Sequence, residues 1–294
     1  MTAMSTPGVD PGRSRWTTNR ARAEVLRDRY PFAAEVLGLY LALVDVWQDT
    51  ADVVLEHPPE PEFLAPWVAE HVVPRVVTAT EAAAPEALAK ATRDLVEAGQ
   101  VEEYLAGWLA GAELTPVERY LARASLWAPL VALGPDVVVA FADDPPRDDR
   151  HCPRCGGPPQ VSFRSPAEDR LVSGSRYLAC ARCGQSWSYS ASTCPSCGET
   201  TGAKRTVYSE QRDGPIVGRD DHGRQSDDVP RDDEPVFPHL RVDACASCEK
   251  YLIDVDLGRD TRAVPEVDEL VAMPLDLYAA DQGLSKITPN LMGF

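Results

Sequence analysis

The first half of this chain has no cysteine. All eight lie at or beyond residue 152, so any thiol chemistry belongs to the second half. Basic residues are also scarce: 29 Lys and Arg face 46 Asp and Glu, a formal net charge of −17. Electrostatic binding of nucleic acid needs clustered cations that displace counterions, and this balance argues against it. It argues equally against docking on anionic membranes. Long apolar runs are missing too. The most apolar stretch, residues 128–142, is broken by Pro129, Gly134, Pro135 and Asp136, so no membrane insertion is expected. There is no Ser-His-Asp order, phosphate loop or dinucleotide fingerprint, and no carboxylate pair stands out. Nothing here predicts an enzyme.

What is present is enough for about two domains, each able to bury a core, in 294 residues of which 44% are apolar. The segment Met1–Trp16 is polar, and its Arg13 and Arg15 are followed by no apolar stretch of the kind an export signal needs. A cytoplasmic location is therefore expected. In a reducing cytosol, paired cysteines bind metal more often than they form disulfides.

Residues 1–15 read as a disordered tail and 16–142 as a helical domain. Within it, residues 33–50 carry Val36, Leu37, Tyr40, Leu41, Val44 and Trp47 at the spacing of a buried helix face. Residues 86–100 and 102–110 predict further helices. Thr115 and Pro116 suit the cap and first turn of another over 117–133. Breaks are expected at Pro58–Pro61, Pro66, Pro74 and Gly134–Pro135. Five of the six tryptophans lie in this half, where core packing is expected of them and a partner groove is the alternative. Residues 143–150 (DDPPRDDR) form a charged, proline-bearing linker. Beyond it, 160–164 and 177–179 look like strands. Residues 210–234 hold nine acidic and four basic side chains and read as an acidic loop. Residues 264–282 predict a C-terminal helix, kinked or broken at Pro274, with Gly283 as its cap.

The cysteines form four Cys-x-x-Cys pairs: Cys152/Cys155, Cys180/Cys183, Cys194/Cys197 and Cys245/Cys248. Two intervening residues let both sulfurs of a pair face one metal at about 2.3 Å, and two pairs close a tetrahedral four-cysteine site. Four pairs with no spare thiol make two sites. Three pairs continue into glycine, which tolerates the positive φ that a tight knuckle demands. The fourth continues into Glu249 and must bend differently or accept strain. Gaps of 24, 10 and 47 residues between successive pairs favour a sequential grouping, first pair with second and third with fourth, over a cross-braced one. A tetrahedral all-thiolate set accommodates zinc or iron. A thiol–disulfide redox pair is a third possibility, although its usual βαβ context is absent. With eight thiolates available, none of the five histidines is expected to be a ligand.

The second half resembles the formate dehydrogenase accessory proteins of the FdhE family. The motifs are Tyr177-Leu-Ala-Cys180-Ala-Arg-Cys183, Trp187, Cys194-Pro-Ser-Cys197-Gly198, the leading Cys152-Pro-Arg-Cys155-Gly-Gly-Pro-Pro and the trailing Cys245-Ala-Ser-Cys248-Glu-Lys-Tyr-Leu. The stretch from Asp268 through Pro274 to Gly283, ending Pro289-Asn-Leu, agrees as well. The resemblance covers about residues 150–294. It implies an α+β protein: an N-terminal all-α helical domain, then a first rubredoxin-like, or zinc-ribbon, four-cysteine module at 151–190. A second at 191–294 carries the acidic loop and the C-terminal helix. It further implies a non-catalytic cytoplasmic assembly factor whose eight cysteines hold two metal ions, iron rather than zinc. The implied partner is the catalytic, molybdenum-containing subunit of respiratory formate dehydrogenase, contacted before export by the twin-arginine route. Three features depart from the family pattern: Ser190 stands where a basic residue is common, Pro274 interrupts the last helix, and the acidic loop is longer than usual. The alternatives are a zinc-ribbon protein contacting nucleic acid or another macromolecule, and a rubredoxin-like electron carrier. Oligomeric state is not set by the sequence. The second site, with its long loop and Glu249 knuckle, is expected to be the more labile.

Overall fold

The computed structural model describes residues 13–134, 148–166, 174–210 and 235–293. The expected tail up to residue 12, most of the linker and the acidic loop beyond Glu210 lie outside the described residues. Residues 13–15, expected in the tail, already belong to helix α1 (Arg13–Arg29).

Helix α2 (Ala34–Glu56) is the axis of the helical part. Its expected apolar face is buried at Leu37, Tyr40, Leu41, Val44 and Trp47, and the same periodicity carries the helix six residues beyond Thr50. Against it pack α1, α4 (Val73–Ala83) and α7 (Pro116–Ala132), while α3 (Leu64–His71), α5 (Glu86–Glu97) and α6 (Val101–Ala110) pack on α4 or α7. Thr115 and Glu118 close a capping box on α7, with Pro116 in the first turn. Pro66 and Pro74, expected as breaks, each lie in the first turn of a helix, where the missing N–H leaves no intrahelical bond unmade.

The tryptophans mostly serve the core. Trp16, Trp47 and Trp127 are in mutual contact, with ring centroids 4.7–5.7 Å apart and Trp127 edge-on to both others. The buried Trp47 Nε1 donates to the Ala124 carbonyl at 2.6 Å, tying α2 to α7.

Among the described residues, seven strands form one sheet: β1 (Pro159–Arg164), β2 (Arg176–Cys180), β3 (Ser186–Ser188), β4 (Arg205–Tyr208), β5 (Leu240–Cys245), β6 (Lys250–Asp256) and β7 (Ser285–Lys286). The order is β3-β2-β1-β6-β5-β4, with β7 added on β6. This order contains an internal repeat. Each half runs knuckle, strand, strand, knuckle, strand: Cys152/Cys155, β1, β2, Cys180/Cys183, β3, then Cys194/Cys197, β4, β5, Cys245/Cys248, β6. In both halves the second strand ends on the cysteine that opens the next knuckle, paired with the first residue of the first strand (Pro159 with Cys180, Arg205 with Cys245). The units join head to tail through the parallel pairing of β1 with β6, Ser162 opposite Asp254.

One face of the sheet, carrying Val161, Ile253 and Val255, shares a continuous apolar core with the helices. The other buries Leu178, Tyr189 and Leu252 beside a layer of ion pairs. In that layer Asp254 meets Ser162, Arg164 (2.9 Å) and Arg241 (2.7 Å), while Asp243 meets Arg176 (2.6 Å) and Arg205. Arg176 thus reaches from the first unit's β2 to the second unit's β5.

The expected single C-terminal helix is three pieces. They are α8 (Pro265–Asp268), a 3-10 turn (Glu269–Val271) and α9 (Met273–Asp281). The break falls at Ala272, and Pro274 sits in the first turn of α9, where it costs no hydrogen bond. Gly283 follows at φ +77°, as a helix cap requires. Arg22 of α1 holds this region to the helices. It grips Asp268, reaches Asp260 at 2.8 Å, and shares Asp268 with His239, whose Nε2 lies 2.7 Å from Oδ1. Burial works against the Arg22 charge, but Asp268 and Asp260 outweigh it and raise its pKa.

Candidate metal centres

The structure groups the cysteines sequentially. Cys152, Cys155, Cys180 and Cys183 form one cluster and Cys194, Cys197, Cys245 and Cys248 the other, all ligand atoms of each cluster within 4.8 Å of one another.

Knuckle geometry follows from the chain. In the first three, the leading cysteine N–H donates to the carbonyl five residues on, and its own carbonyl accepts from the glycine N–H four residues on. The bonds are Cys152 N to Gly157 O (2.9 Å), Cys180 N to Gln185 O (2.9 Å) and Cys194 N to Glu199 O (2.8 Å), with Gly156, Gly184 and Gly198 donating back. Those glycines have φ of +66°, +67° and +79°, respectively. The turn aims backbone donors at sulfur: Arg182 N lies 3.3 Å from Cys180 Sγ, and Ser196 N lies 3.4 Å from Cys194 Sγ. The fourth knuckle keeps the same bend without glycine. Glu249 takes φ +55°, the one positive-φ residue other than glycine among the described residues. It accepts the strain that its sequence implied, at roughly 1–2 kcal/mol.

The sulfurs fit a tetrahedral metal. A metal–sulfur bond of about 2.3 Å gives a tetrahedron edge of about 3.8 Å. Cys152–Cys183, Cys155–Cys180 and Cys155–Cys183 lie 3.4–3.6 Å apart in the first cluster, and Cys194–Cys248 and Cys197–Cys245 lie 3.8 Å apart in the second, with all sulfurs of each set within 4.8 Å. All eight cysteines are free, and these distances lie far outside the roughly 2.05 Å of a disulfide. The electrostatics agree. In the first cluster, hydrogen bonds led by that from Cys152 pull the Cys183 thiol pKa far down, and Cys155 with Cys180 lowers Cys152. Burial holds Cys180 well up, and Cys152 holds Cys155 up. Four thiolates at this spacing require a cation among them.

The clusters differ in surroundings. The first is buried at all four cysteines; in the second, Cys197 is exposed and Cys248 half-buried. Gly157 makes room at the first: a Cβ there would stand 2.9 Å from Cys180 Sγ and 3.2 Å from Cys155 Sγ. Arginines line it as well. Arg154 donates to the Leu130 carbonyl and Arg182 to the Cys155 carbonyl, both at 2.8 Å. Burial pushes Arg123 down to about 10, with Glu269 and Cys180 acting against the shift. At the second cluster burial pushes Cys194 up to about 12. Glu199 ties its two knuckles, accepting from Thr201 N (2.8 Å) and Ser247 Oγ (2.7 Å), and Ser247 first among these holds its carboxyl at about 2.

No described histidine joins either cluster, and His222 lies outside the described residues. His239 is 2% exposed inside the Arg22 network. Sequence reasoning missed it because its partners, Arg22 and Asp268, come from distant segments. It also missed the Gly157 clearance and the Glu199 tie; the run of two glycines after Cys155 was the available sign of the first. Trp187, one of the motif residues, donates its indole N–H to the Asp149 carbonyl at 2.9 Å and pins the chain entering the first knuckle. Ser190, the departure from the family pattern, is exposed and bonds to Ser192.

Helices followed by a tandem of two four-cysteine modules define an α+β protein with two candidate metal centres. No family model matches the chain. Curated relatives do. The FdhE homolog of Aquifex aeolicus is 28% identical over 144 residues, 49% of this chain and 42% of that protein. The FdhE homolog of Pseudomonas aeruginosa is 30% identical over 142 residues, 48% of this chain and 38% of that protein. The matched part of the chain thus spans less than half the length of these relatives. The crystal structure of the FdhE protein from Pseudomonas aeruginosa superposes with a TM-score of 0.64 at 23% identity, covering 97% of each chain, a likeness of fold. With the cysteine motifs already described, the second half is similar in sequence to FdhE homologs, and the whole chain shares the fold of an FdhE protein.

Proposed function

We propose that the chain is a non-catalytic assembly factor for a formate dehydrogenase, acting in the cytoplasm on the catalytic subunit before export. All eight cysteines serve as ligands in this reading, and the two centres hold iron. The observation that carries it is the pair of four-cysteine clusters, set in tandem on one sheet and backed by helices. That arrangement is spread over the fold of an FdhE protein along nearly the full chain. The absence from the described residues of any helix long and apolar enough to cross a membrane is compatible with it. The metal, when bound, neutralises the thiolates and locks each knuckle pair. The protein's own part is to hold the sulfurs at tetrahedral spacing and to shield the first set from water.

The test is made in the native host. Tagged protein is expected to co-purify with a formate dehydrogenase catalytic subunit, and deletion of its gene is expected to abolish that activity. Failure of both overturns the proposal. Metal analysis of anaerobically prepared protein separates the zinc-ribbon alternative: two zinc ions and no Fe–thiolate absorption would remove iron from the reading.

A further inference from the structure

A cleft of about 410 Å³ opens where α6, the first metal module and the C-terminal segment meet, lined among others by Trp108, Glu113, Arg119, Arg182 and Thr288. Three of its polar atoms lack partners. Trp108 Nε1, Arg182 Nε and Thr288 Oγ1 are buried and have no hydrogen-bond partner among the described residues. Arg182 is 7% exposed and spends Nη1 on the Cys155 carbonyl. Its Nη2 packs over Gly111, where a Cβ would stand only 2.8 Å away. Arg119 contributes Nη2 to the Leu114 carbonyl at 3.2 Å. Neither guanidinium meets a carboxylate among the described residues, in a chain where Asp and Glu outnumber Lys and Arg 46 to 29. Glu113 is the single acid of the lining.

Two unneutralised arginines beside an indole N–H and a hydroxyl form a receptor for an oxyanion. The planar guanidinium fork matches a carboxylate in particular. Leu114, Pro158 and Ile287 complete the walls and suit a carboxylate on an apolar stem rather than a fully hydrated ion. We propose that this cleft binds a carboxylate, free or borne on a peptide segment of a partner. Arg182 lies between Cys180 and Cys183 and its N–H reaches Cys180 Sγ, so an occupant would stiffen the first metal knuckle. The proposal does not depend on the formate dehydrogenase reading.

The test uses the full-length, metal-loaded chain at fixed ionic strength, following the Trp108 indole N–H resonance and calorimetric heat. It is titrated with acetate, with inorganic phosphate, and with a short peptide carrying one glutamate among apolar residues. Acetate and peptide are expected to shift the resonance, with phosphate at least tenfold weaker. A peptide at least tenfold tighter than acetate assigns a partner-borne carboxylate; equal affinities assign a free acid. Arg119→Gln is expected to weaken binding roughly tenfold or more, with melting temperature and metal content unchanged. Arg182→Lys, which keeps the charge but loses the fork, is expected to weaken it similarly. An indole resonance unmoved at saturating acetate and peptide, full affinity in Arg119→Gln, or phosphate binding as tight as carboxylate each overturns the proposal.

Discussion

The two cysteine clusters are built by the same knuckle–strand–strand–knuckle–strand unit, yet they sit in different physical worlds. The first is sealed between sheet and helices, with all four sulfurs buried and Arg123, Arg154 and Arg182 around it. The second lies outside the shared apolar core, with Cys197 in solvent, and its fourth knuckle is held in a strained turn at Glu249. A repeated unit therefore fixes ligand geometry, while its neighbours fix how protected and how tightly held the centre is. The first is placed to be a permanent part of the core, the second to open.

The sharpest way to break that contrast is to remove one sulfur from each. Cys180→Ser should lose one metal and unfold the seam between sheet and helices, because structural metal binding contributes about 10–16 kcal/mol in small modules. Cys197→Ser should also lose one metal, but leave the helical part folded by circular dichroism and proteolysis. Equal damage in both variants would end the comparison. Chelation of the intact protein should likewise empty the second centre first. Earlier loss from the Cys152/Cys155/Cys180/Cys183 set would reverse the assignment.

Next in size is the tie between α1 and the second unit. Arg22→Ala leaves Asp268 buried without its cation and should cost about 3–5 kcal/mol in denaturant unfolding. His239 cannot replace the bidentate grip. A loss under about 1 kcal/mol, the scale of an exposed ion pair, would show that the shared apolar core alone holds the parts together.

Acid should probe the junction between the units. Burial opposes ionisation of Asp254, but Arg241, Arg164 and Ser162 outweigh it and lower its pKa. A depressed carboxylate contributes stability above its unfolded pKa, near 3.9. That contribution is lost as pH falls toward the folded value. Unfolding midpoints should thus drop below about pH 4, and Asp254→Asn should flatten that drop while destabilising the protein at neutral pH. Metal content measured in parallel separates this from thiolate protonation. An unchanged acid profile in the variant would exclude Asp254 as the sensor.

The smallest expected effect is a gain. Glu249→Gly relieves the left-handed backbone and should stabilise the second unit by up to about 1 kcal/mol. It should also slow metal loss from that centre alone. No change in either rate or midpoint would mean that the turn carries no strain.

Much of this was legible in one dimension. Cysteine spacing identified the pairs that cluster, because two residues between thiols is a local constraint. The strain at Glu249 followed from a missing glycine in the fourth pair. Amphipathic spacing located α2 and its buried face, and Thr115-Pro116 located the start of α7, since caps and helix periodicity are also local. Prolines were read less well. Pro66 and Pro74 begin helices that sequence alone treated as interrupted, because a proline tolerated in a first turn looks identical to one that ends a helix.

What the sequence determined by itself is therefore the set of short-range devices: four knuckles, a capped helix, an apolar stripe and a family resemblance carried by the residues around the cysteines. Only the tertiary structure decided the rest. It set the first pair with the second, duplicated the metal unit across a parallel β1–β6 seam, and paired Arg176 with Asp243 and Arg22 with Asp268. It also buried one centre while leaving the other open. Each depends on partners dozens to hundreds of residues apart. Their identity is set by which faces must leave water together, not by any pattern along the chain.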